Sequence, residues 1–124
     1  MVFGVFDGLH EGHKKFLSDA AARCGTLIVV VTRDEIVELL KRRKPMRPHA
    51  ARAAAIRAFN PNYIVVPGDP TLGEWDILKT HRPDKVFLGY DQHGIAAELT
   101  KLGIPFETLD AHEPSKYKSS LLRK

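Results

Sequence analysis

Gly4-Val5-Phe6-Asp7-Gly8-Leu9-His10-Glu11-Gly12-His13 is the stretch that decides the fold of this chain. It joins an apolar run, residues 2–6, to a segment whose apolar spacing predicts a helix from about His13 to Cys24. Its two histidines therefore lie at a strand-to-helix turn. Glycines there let a backbone approach a ligand closely. The N-terminus of the helix adds free N–H groups and a partial positive charge, so the stretch predicts an anion site, most often for a phosphate.

The remaining pattern predicts an α/β fold. Apolar, β-branched runs predict further strands at residues 26–31, 63–66, 85–88 and 105–109, with helical segments between them. Strands that alternate with helices predict a doubly wound parallel sheet, here five-stranded in the order 3-2-1-4-5 and forming a single domain over residues 1–124. Ligands of such sheets bind beyond the carboxyl ends of the strands. We therefore expect the loops after the first and fourth strands to line one crevice.

The second predicted helix follows the second strand. Thr32 and Glu35 have the spacing of a capping box, which predicts that Thr32 is the N-cap. The apolar face of this helix is predicted to contain Ile36, Val37, Leu39 and Leu40. The helix ends in a basic cluster and is stopped by Pro45. The cluster consists of residues 41–44 together with Arg47 and Arg52.

Composition bounds the class of protein. The chain has 124 residues and a formal net charge of +4, which fits a polyphosphate ligand, a nucleic acid or an acidic membrane surface. Cys24 is the one cysteine, so an internal disulfide and a cysteine-rich zinc site are excluded. No apolar run is long enough to cross a membrane, and the N-terminus lacks a basic leader. We expect a cytoplasmic protein.

Three interpretations of His10 and His13 compete. They are idle residues of a turn, metal ligands, or hydrogen-bond donors to a phosphate. A metal site lacks a third histidine or cysteine nearby, and the spacing is not that of HExxH. Imidazoles at a helix N-terminus can instead stabilise the charge that builds on a phosphate during transfer. No nucleophilic side chain is then needed, because the second substrate supplies the attacking group.

The stretch resembles the G-T-F-D-x-x-H-x-G-H signature of the cytidylyltransferase-like nucleotidyltransferases. Three further segments resemble motifs of that family in the same order: residues 41–45 resemble K-G-x-x-P, residues 88–92 resemble the loop after the fourth strand, and residues 118–120 resemble a C-terminal serine motif. Arg52 falls where the following helix of the family has an arginine. The resemblance implies a Rossmann-like fold. It also implies an enzyme in which an acceptor attacks the α-phosphate of a nucleoside triphosphate, pyrophosphate leaves, and Mg²⁺ accompanies the phosphates.

The resemblance also assigns roles to residues. It implies that His10, His13 and Lys41 are catalytic. The implied nucleotide-binding residues are Gly4, Val5, Phe6, Asp7, Gly12, Gly89, Asp91, Gln92, Ser119 and Ser120. Weaker candidates for contact with substrate phosphates are Lys14, Lys44, Arg52 and Lys118. No metal ligand is expected from protein side chains.

Two positions depart from the family pattern, and the substrates stay open. Val5 replaces a threonine, and Arg42 replaces the glycine after Lys41. Residues 89–92 and the tail look most like archaeal-type FAD synthases, which favours transfer of AMP from ATP to FMN. CTP-dependent transfer to a polyol or amino-alcohol phosphate, as in glycerol-3-phosphate cytidylyltransferases, is the alternative.

A different class, a non-catalytic nucleotide- or RNA-binding module on the same fold, would use the basic clusters and show steep salt dependence. The intact H-x-G-H argues against it. We expect a homodimer, with no membrane or nucleic-acid partner.

Overall fold

A computed structural model describes residues 1–71, 73–89 and 92–109 of the chain. Strands and helices alternate along most of it, as the sequence predicts. In chain order the elements are β1 (Val2–Gly4), α1 (Glu11–Ala22), β2 (Ile28–Val31), α2 (Asp34–Lys41), α3 (His49–Phe59), β3 (Ile64–Pro67), α4 (Asp76–His81), β4 (Val86–Gly89), α5 (His93–Leu102) and β5 (Phe106–Leu109).

The strands pair in parallel, which confirms the α/β prediction. The pairs are β1 with β2, β2 with β3, and β4 with β5. The single five-stranded sheet in the order 3-2-1-4-5 is not confirmed. The described residues instead form a three-stranded sheet, in the order β1-β2-β3, and a two-stranded sheet of β4 and β5.

A side chain occupies the seam between β1 and β4 and accounts for the break. The two strands lie side by side, and the Phe87 amide donates to the Met1 carbonyl at 2.9 Å. Further along, where a parallel ladder would join Gly89 to Phe3, the carboxamide of Gln92 intervenes. Its Oε1 accepts from the Gly89 amide at 2.9 Å, and its Nε2 donates to the Phe3 carbonyl at 3.0 Å. The amide of Gly89 and the carbonyl of Phe3 are thus satisfied through a side chain, without a direct ladder bond between the strands.

Helices cover both faces of the strands, as in a doubly wound fold. Because successive side chains of a strand point to opposite faces, Val29 packs with Leu17 of α1 and Ile56 of α3. Val30 packs on the other face with Leu99 of α5 and with residues of α4. Both apolar clusters include residues of the two sheets, so the core is continuous across the seam.

The start of α2 differs from the prediction. Arg33 is its N-cap and makes no side-chain capping bond. The predicted cap, Thr32, instead uses its amide and hydroxyl to donate to the Gly4 carbonyl, at 3.0 and 3.2 Å. Thr32 therefore extends the contact between β1 and β2, which no local pattern could show.

The apolar face of α2 is also narrower than predicted. Ile36 and Val37 are buried, but Leu39 and Leu40 are 64% and 58% exposed.

Across the described ranges, no helix is long and apolar enough to span a membrane.

Candidate active site

The motif loop leaves β1 through a strained residue. Phe6 has φ of 53°, in the left-handed region that a bulky side chain occupies only at a cost of roughly 1 kcal/mol or more. Its ring is buried and lies edge-on to the His13 ring, with centroids 5.4 Å apart. Gly4 makes room for it, because a Cβ at Gly4 would lie 2.7 Å from the Phe6 ring. Phe6 thus supports His13 from below.

His10 and His13 open α1 and cap it reciprocally. His10 is the N-cap, and its Nδ1 accepts from the amides of Gly12 at 3.0 Å and His13 at 3.4 Å. The Nδ1 of His13 accepts from the His10 amide at 3.4 Å. The two residues thus form a capping box in which imidazole nitrogens replace the usual hydroxyl and carboxylate groups. The helix accordingly begins at Glu11, two residues earlier than the sequence indicates.

These bonds fix the tautomers of the two rings. An Nδ1 that accepts a backbone hydrogen bond carries no proton, so the proton of each neutral imidazole resides on Nε2. The rings are stacked, with centroids 3.7 Å apart and planes 20° apart. Burial, first, and the charges of His10 and Lys41 lower the pKa of His13 to about 4, against a backbone hydrogen bond with Gly8 that raises it. His13 is therefore a neutral donor at pH 7.

A second loop is tied to the motif by Asp7. The two oxygens of its carboxylate accept from the amides of Met46 at 2.7 Å and Arg47 at 3.0 Å. The hydrogen bond from Met46 is the largest cause that holds the pKa of Asp7 below its usual value. The ionised carboxylate thus anchors the segment between α2 and α3, which contains most of the basic cluster, against the site.

Arg52 of α3 joins the same two loops through hydrogen bonds to their backbone. Its side chain is fully buried, and its guanidinium donates to the carbonyls of Arg47 at 3.0 Å and Val5 at 2.8 Å, and to the carboxylate of Asp34. The bond from Arg52 is the first cause of the lowered pKa of Asp34. Asp34 also accepts from the amide of His49 at 3.3 Å. The donors of Arg52 are thus turned to protein acceptors and away from the site.

A cavity of about 660 Å³ lies above these loops, at the carboxyl ends of the strands. Thirteen predicted residues lie within the described ranges, and eleven of them line the cavity. These eleven are Gly4, Val5, Phe6, Asp7, His10, Gly12, His13, Lys41, Lys44, Gly89 and Gln92. The loops after β1 and β4 therefore do share one crevice, as the sequence predicts.

Two predicted phosphate contacts lie elsewhere. Lys14 is not in the cavity wall and pairs with Glu11 at 3.7 Å, with its ammonium 6.0 Å from the Phe59 ring. Lys15 lines the cavity instead. Arg52 is also outside the wall, in the network described above.

Four other predicted residues fall beyond the described ranges. These are Asp91, Lys118, Ser119 and Ser120. Their assigned roles stay predictions.

The Cytidylyltransferase-like family model matches residues 1–124. The chain belongs to the cytidylyltransferase-like family. An FAD synthase of Korarchaeum cryptofilum (strain OPF8) is 42% identical over 118 residues, covering 86% of this chain and 76% of that protein. An FAD synthase of Thermococcus onnurineus (strain NA1) is 38% identical over 110 residues, covering 86% and 73%.

A solved structure shares the fold of this cytidylyltransferase-like protein. The crystal structure of the lipopolysaccharide core biosynthesis protein from Thermoplasma volcanium GSS1 superposes with a TM-score of 0.74 at 28% identity, covering 90% of this chain and 93% of that one. Family membership confirms the resemblance inferred from the motifs and the prediction of a nucleotidyltransferase.

The geometry of this cytidylyltransferase-like site suits charge stabilisation rather than metal binding by the protein alone. Among the described residues, no group of three or more histidines, cysteines and carboxylates could hold a metal ion. Asp7 uses both oxygens on backbone amides. Imidazole donors, a helix N-terminus and the lysines of the wall instead converge on one cavity, which is what a polyphosphate requires.

Several features of the site have no signal in the amino-acid sequence. The sequence predicts that Asp34 lies in the first turn of a helix, and only the fold shows that its carboxylate pairs with the buried Arg52. Leu40 reads as core but lines the cavity. The bridging role of Gln92 depends on its contact with Phe3, 89 residues away in the chain, which no motif encodes.

Proposed function

We propose that this protein is an FMN adenylyltransferase that transfers AMP from ATP to FMN, giving FAD and pyrophosphate. The observation that carries the proposal is the pair of Nε2-protonated histidines at the start of α1, which line the same cavity as Lys41 and Lys44. The FAD synthases named above, at 38% and 42% identity, support the choice of substrates.

The proposed reaction is a displacement at the α-phosphorus. An oxygen of the FMN phosphate forms a bond to the α-phosphorus of ATP, and the bond to the bridging oxygen of the β-phosphate breaks, so pyrophosphate leaves with the electron pair. The Nε2–H groups of His10 and His13 donate to the α-phosphate oxygens as their charge rises. Lys41 and Lys44 offset the charge of the two phosphates, and the enzyme contributes mainly positioning and charge stabilisation.

Other predicted components belong to the same proposal. Mg²⁺ would enter with the triphosphate and neutralise part of its charge, since it is commonly bound through substrate phosphates. Gly89 and Gln92, with Asp91, would line the nucleoside side, and Ser119 and Ser120 would hold the leaving phosphates. We also propose that the protein is cytoplasmic and forms a homodimer. Sedimentation analysis of the purified chain would check the oligomeric state.

The test is pyrophosphate release with Mg²⁺ from each of four triphosphates, combined with FMN, glycerol 3-phosphate, phosphocholine, phosphopantetheine or ribitol 5-phosphate. We expect turnover with ATP and FMN, abolished by His13→Ala. The matched control is His93→Ala, because His93 is exposed and lies outside the cavity wall. Turnover only with CTP and a polyol phosphate would replace the proposal by the cytidylyltransferase alternative. Undiminished release by His13→Ala would overturn the mechanism.

A further inference from the structure

One wall of the cavity combines exposed apolar side chains with cations. We define the acceptor wall as Leu40, Lys41, Lys44 and Met46, all of which line the cavity. Leu40 is 58% exposed and Met46 86% exposed, although both are large apolar residues. Apolar side chains at the lip of a binding cavity are typical of sites where a ligand covers them.

The wall is held in place by contacts that do not involve the exposed side chains. Met46 donates its amide to Asp7, which fixes the backbone beside the motif while its side chain stays exposed. Leu40 lies in the last turn of α2, whose buried residues Ile36 and Val37 anchor the helix. The apolar groups are therefore presented by a rigid support, which limits the entropy lost when a ligand covers them.

The opposite side of the cavity has a different character. Gly89, Gln92 and Ile95 line it near β4, and none of them is charged. The motif histidines lie between this side and the acceptor wall, because β1 lies between β2 and β4. Two ligands can thus reach the histidines from opposite directions, as an in-line displacement requires.

Together these features point to one class of acceptor. We propose that Leu40 and Met46 seat a flat apolar ring system of the acceptor, while Lys41 and Lys44 pair with the phosphate attached to it. This inference rests on the proposed function and deepens it. A polyol phosphate would satisfy the lysines and leave the apolar side chains uncovered, so the wall discriminates in favour of a ring-bearing phosphate such as FMN.

The experiment compares substitutions inside and outside the cavity. Leu40→Ser and Met46→Ser remove apolar surface from the wall. Leu39→Ser is the matched control, because Leu39 is the preceding residue of α2, is 64% exposed and does not line the cavity. The measured quantities are the KM values for FMN and ATP, and the inhibition constant of ribitol 5-phosphate as a competitor of FMN.

We expect Leu40→Ser and Met46→Ser each to raise the KM for FMN by roughly tenfold, the scale of losing one buried apolar side chain at an interface. The KM for ATP and the inhibition constant of ribitol 5-phosphate should not change, and Leu39→Ser should resemble the wild type. An unchanged KM for FMN would overturn the inference. So would an equal rise in the Leu39→Ser control, or an equal weakening for ribitol 5-phosphate, which has no ring.

Failure of this inference is distinguishable from failure of the proposed function. If the wild type turns over ATP and FMN but the wall variants behave like the control, only the acceptor wall is wrong. If the wild type does not turn over FMN, equilibrium binding measured by quenching of FMN fluorescence still decides. Roughly tenfold weaker binding by the wall variants supports the inference. Equal binding by all variants, or none by the wild type, overturns it.

Discussion

Replacing Arg52 by methionine tests the buried network that joins the motif to the basic loop. Methionine keeps an apolar stem of similar length and removes the guanidinium. The carbonyls of Val5 and Arg47 then lose their charged donor, and Asp34 loses its buried partner. A hydrogen bond to a charged group contributes about 1.5–3 kcal/mol, and breaking a buried ion pair costs about 3–5 kcal/mol.

For the ion pair of Arg52 and Asp34, the lower end of the range for a buried ion pair applies. The side chain of Asp34 is 45% exposed, so water can replace part of what Arg52 provides. We therefore expect the free energy of unfolding to fall by about 3 kcal/mol. For a domain of this size that corresponds to a Tm lower by roughly 10 °C. The assay is thermal unfolding followed by circular dichroism, with urea unfolding at 25 °C for the free energy.

Arg57→Met is the matched control. Arg57 lies in the same helix, is exposed, and makes one bond of 3.3 Å to the Val65 carbonyl. It should cost less than about 1 kcal/mol. Equal losses for the two variants would refute the network. If Arg52→Met does not fold, Arg52→Lys, which keeps the charge but not the fork of donors, should show an intermediate loss.

The same variant separates two roles for Arg52. A phosphate contact, which the sequence motif suggests, would raise the KM for a substrate and leave Tm nearly unchanged. A positioning residue lowers Tm. At temperatures far below Tm it also reduces kcat, because the loops that hold the histidines and lysines lose their support. A raised KM with an unchanged Tm would contradict the structure-based role.

Three further predictions concern single residues of the site. Arg42 has φ of 58° where the family pattern has glycine, so Arg42→Gly should raise the free energy of unfolding by about 1 kcal/mol in urea titrations; a loss of stability would contradict the strain. Gly4→Ala places a Cβ 2.7 Å from the Phe6 ring and should lower stability by about 1–3 kcal/mol, with reduced pyrophosphate release; wild-type stability would show that the ring moves freely. The pKa of His13 is lowered to about 4 in the folded protein. As the pH falls below about 6.5, His13 therefore becomes protonated in the unfolded chain but stays neutral in the folded protein until about pH 4, and this difference favours unfolding. The stability of the wild type relative to His13→Asn should therefore be full above pH 6.5 and fall between pH 6.5 and 4, by about 1 kcal/mol after allowance for solvent screening of this half-buried ring; a difference that does not vary with pH would refute it.

The sequence predicts most of the fold and the centre of the site. Alternating strands and helices, parallel pairing, and a shared crevice after β1 and β4 all follow from apolar periodicity and from the chemistry of turns. His10 and His13 stand out because imidazoles among glycines, at the N-terminus of a predicted helix, have the chemistry of a phosphate site. These features are local, or follow from rules that hold for all parallel sheets.

What the sequence could not show depends on contacts between distant segments. Thr32 bonds to Gly4 rather than to its own helix, so its capping pattern is misleading. Lys14 and Lys15 are indistinguishable in sequence, and only the pitch of α1 places Lys15 at the cavity. Arg52 has the residue type of a phosphate ligand, but its burial beneath the loops gives it another use.

The carboxamide of Gln92 has a consequence for how the crevice can change width. Strands joined by a backbone ladder separate only when several hydrogen bonds break together. Here the amide of Gly89 and the carbonyl of Phe3 meet through one rotatable side chain, so the gap can widen by turning χ angles rather than by unzipping a sheet. Gln92→Glu removes the donor to Phe3 while keeping the acceptor for Gly89. Amide hydrogen exchange at β4 should then accelerate, and unchanged exchange would show that the seam is held by the core alone.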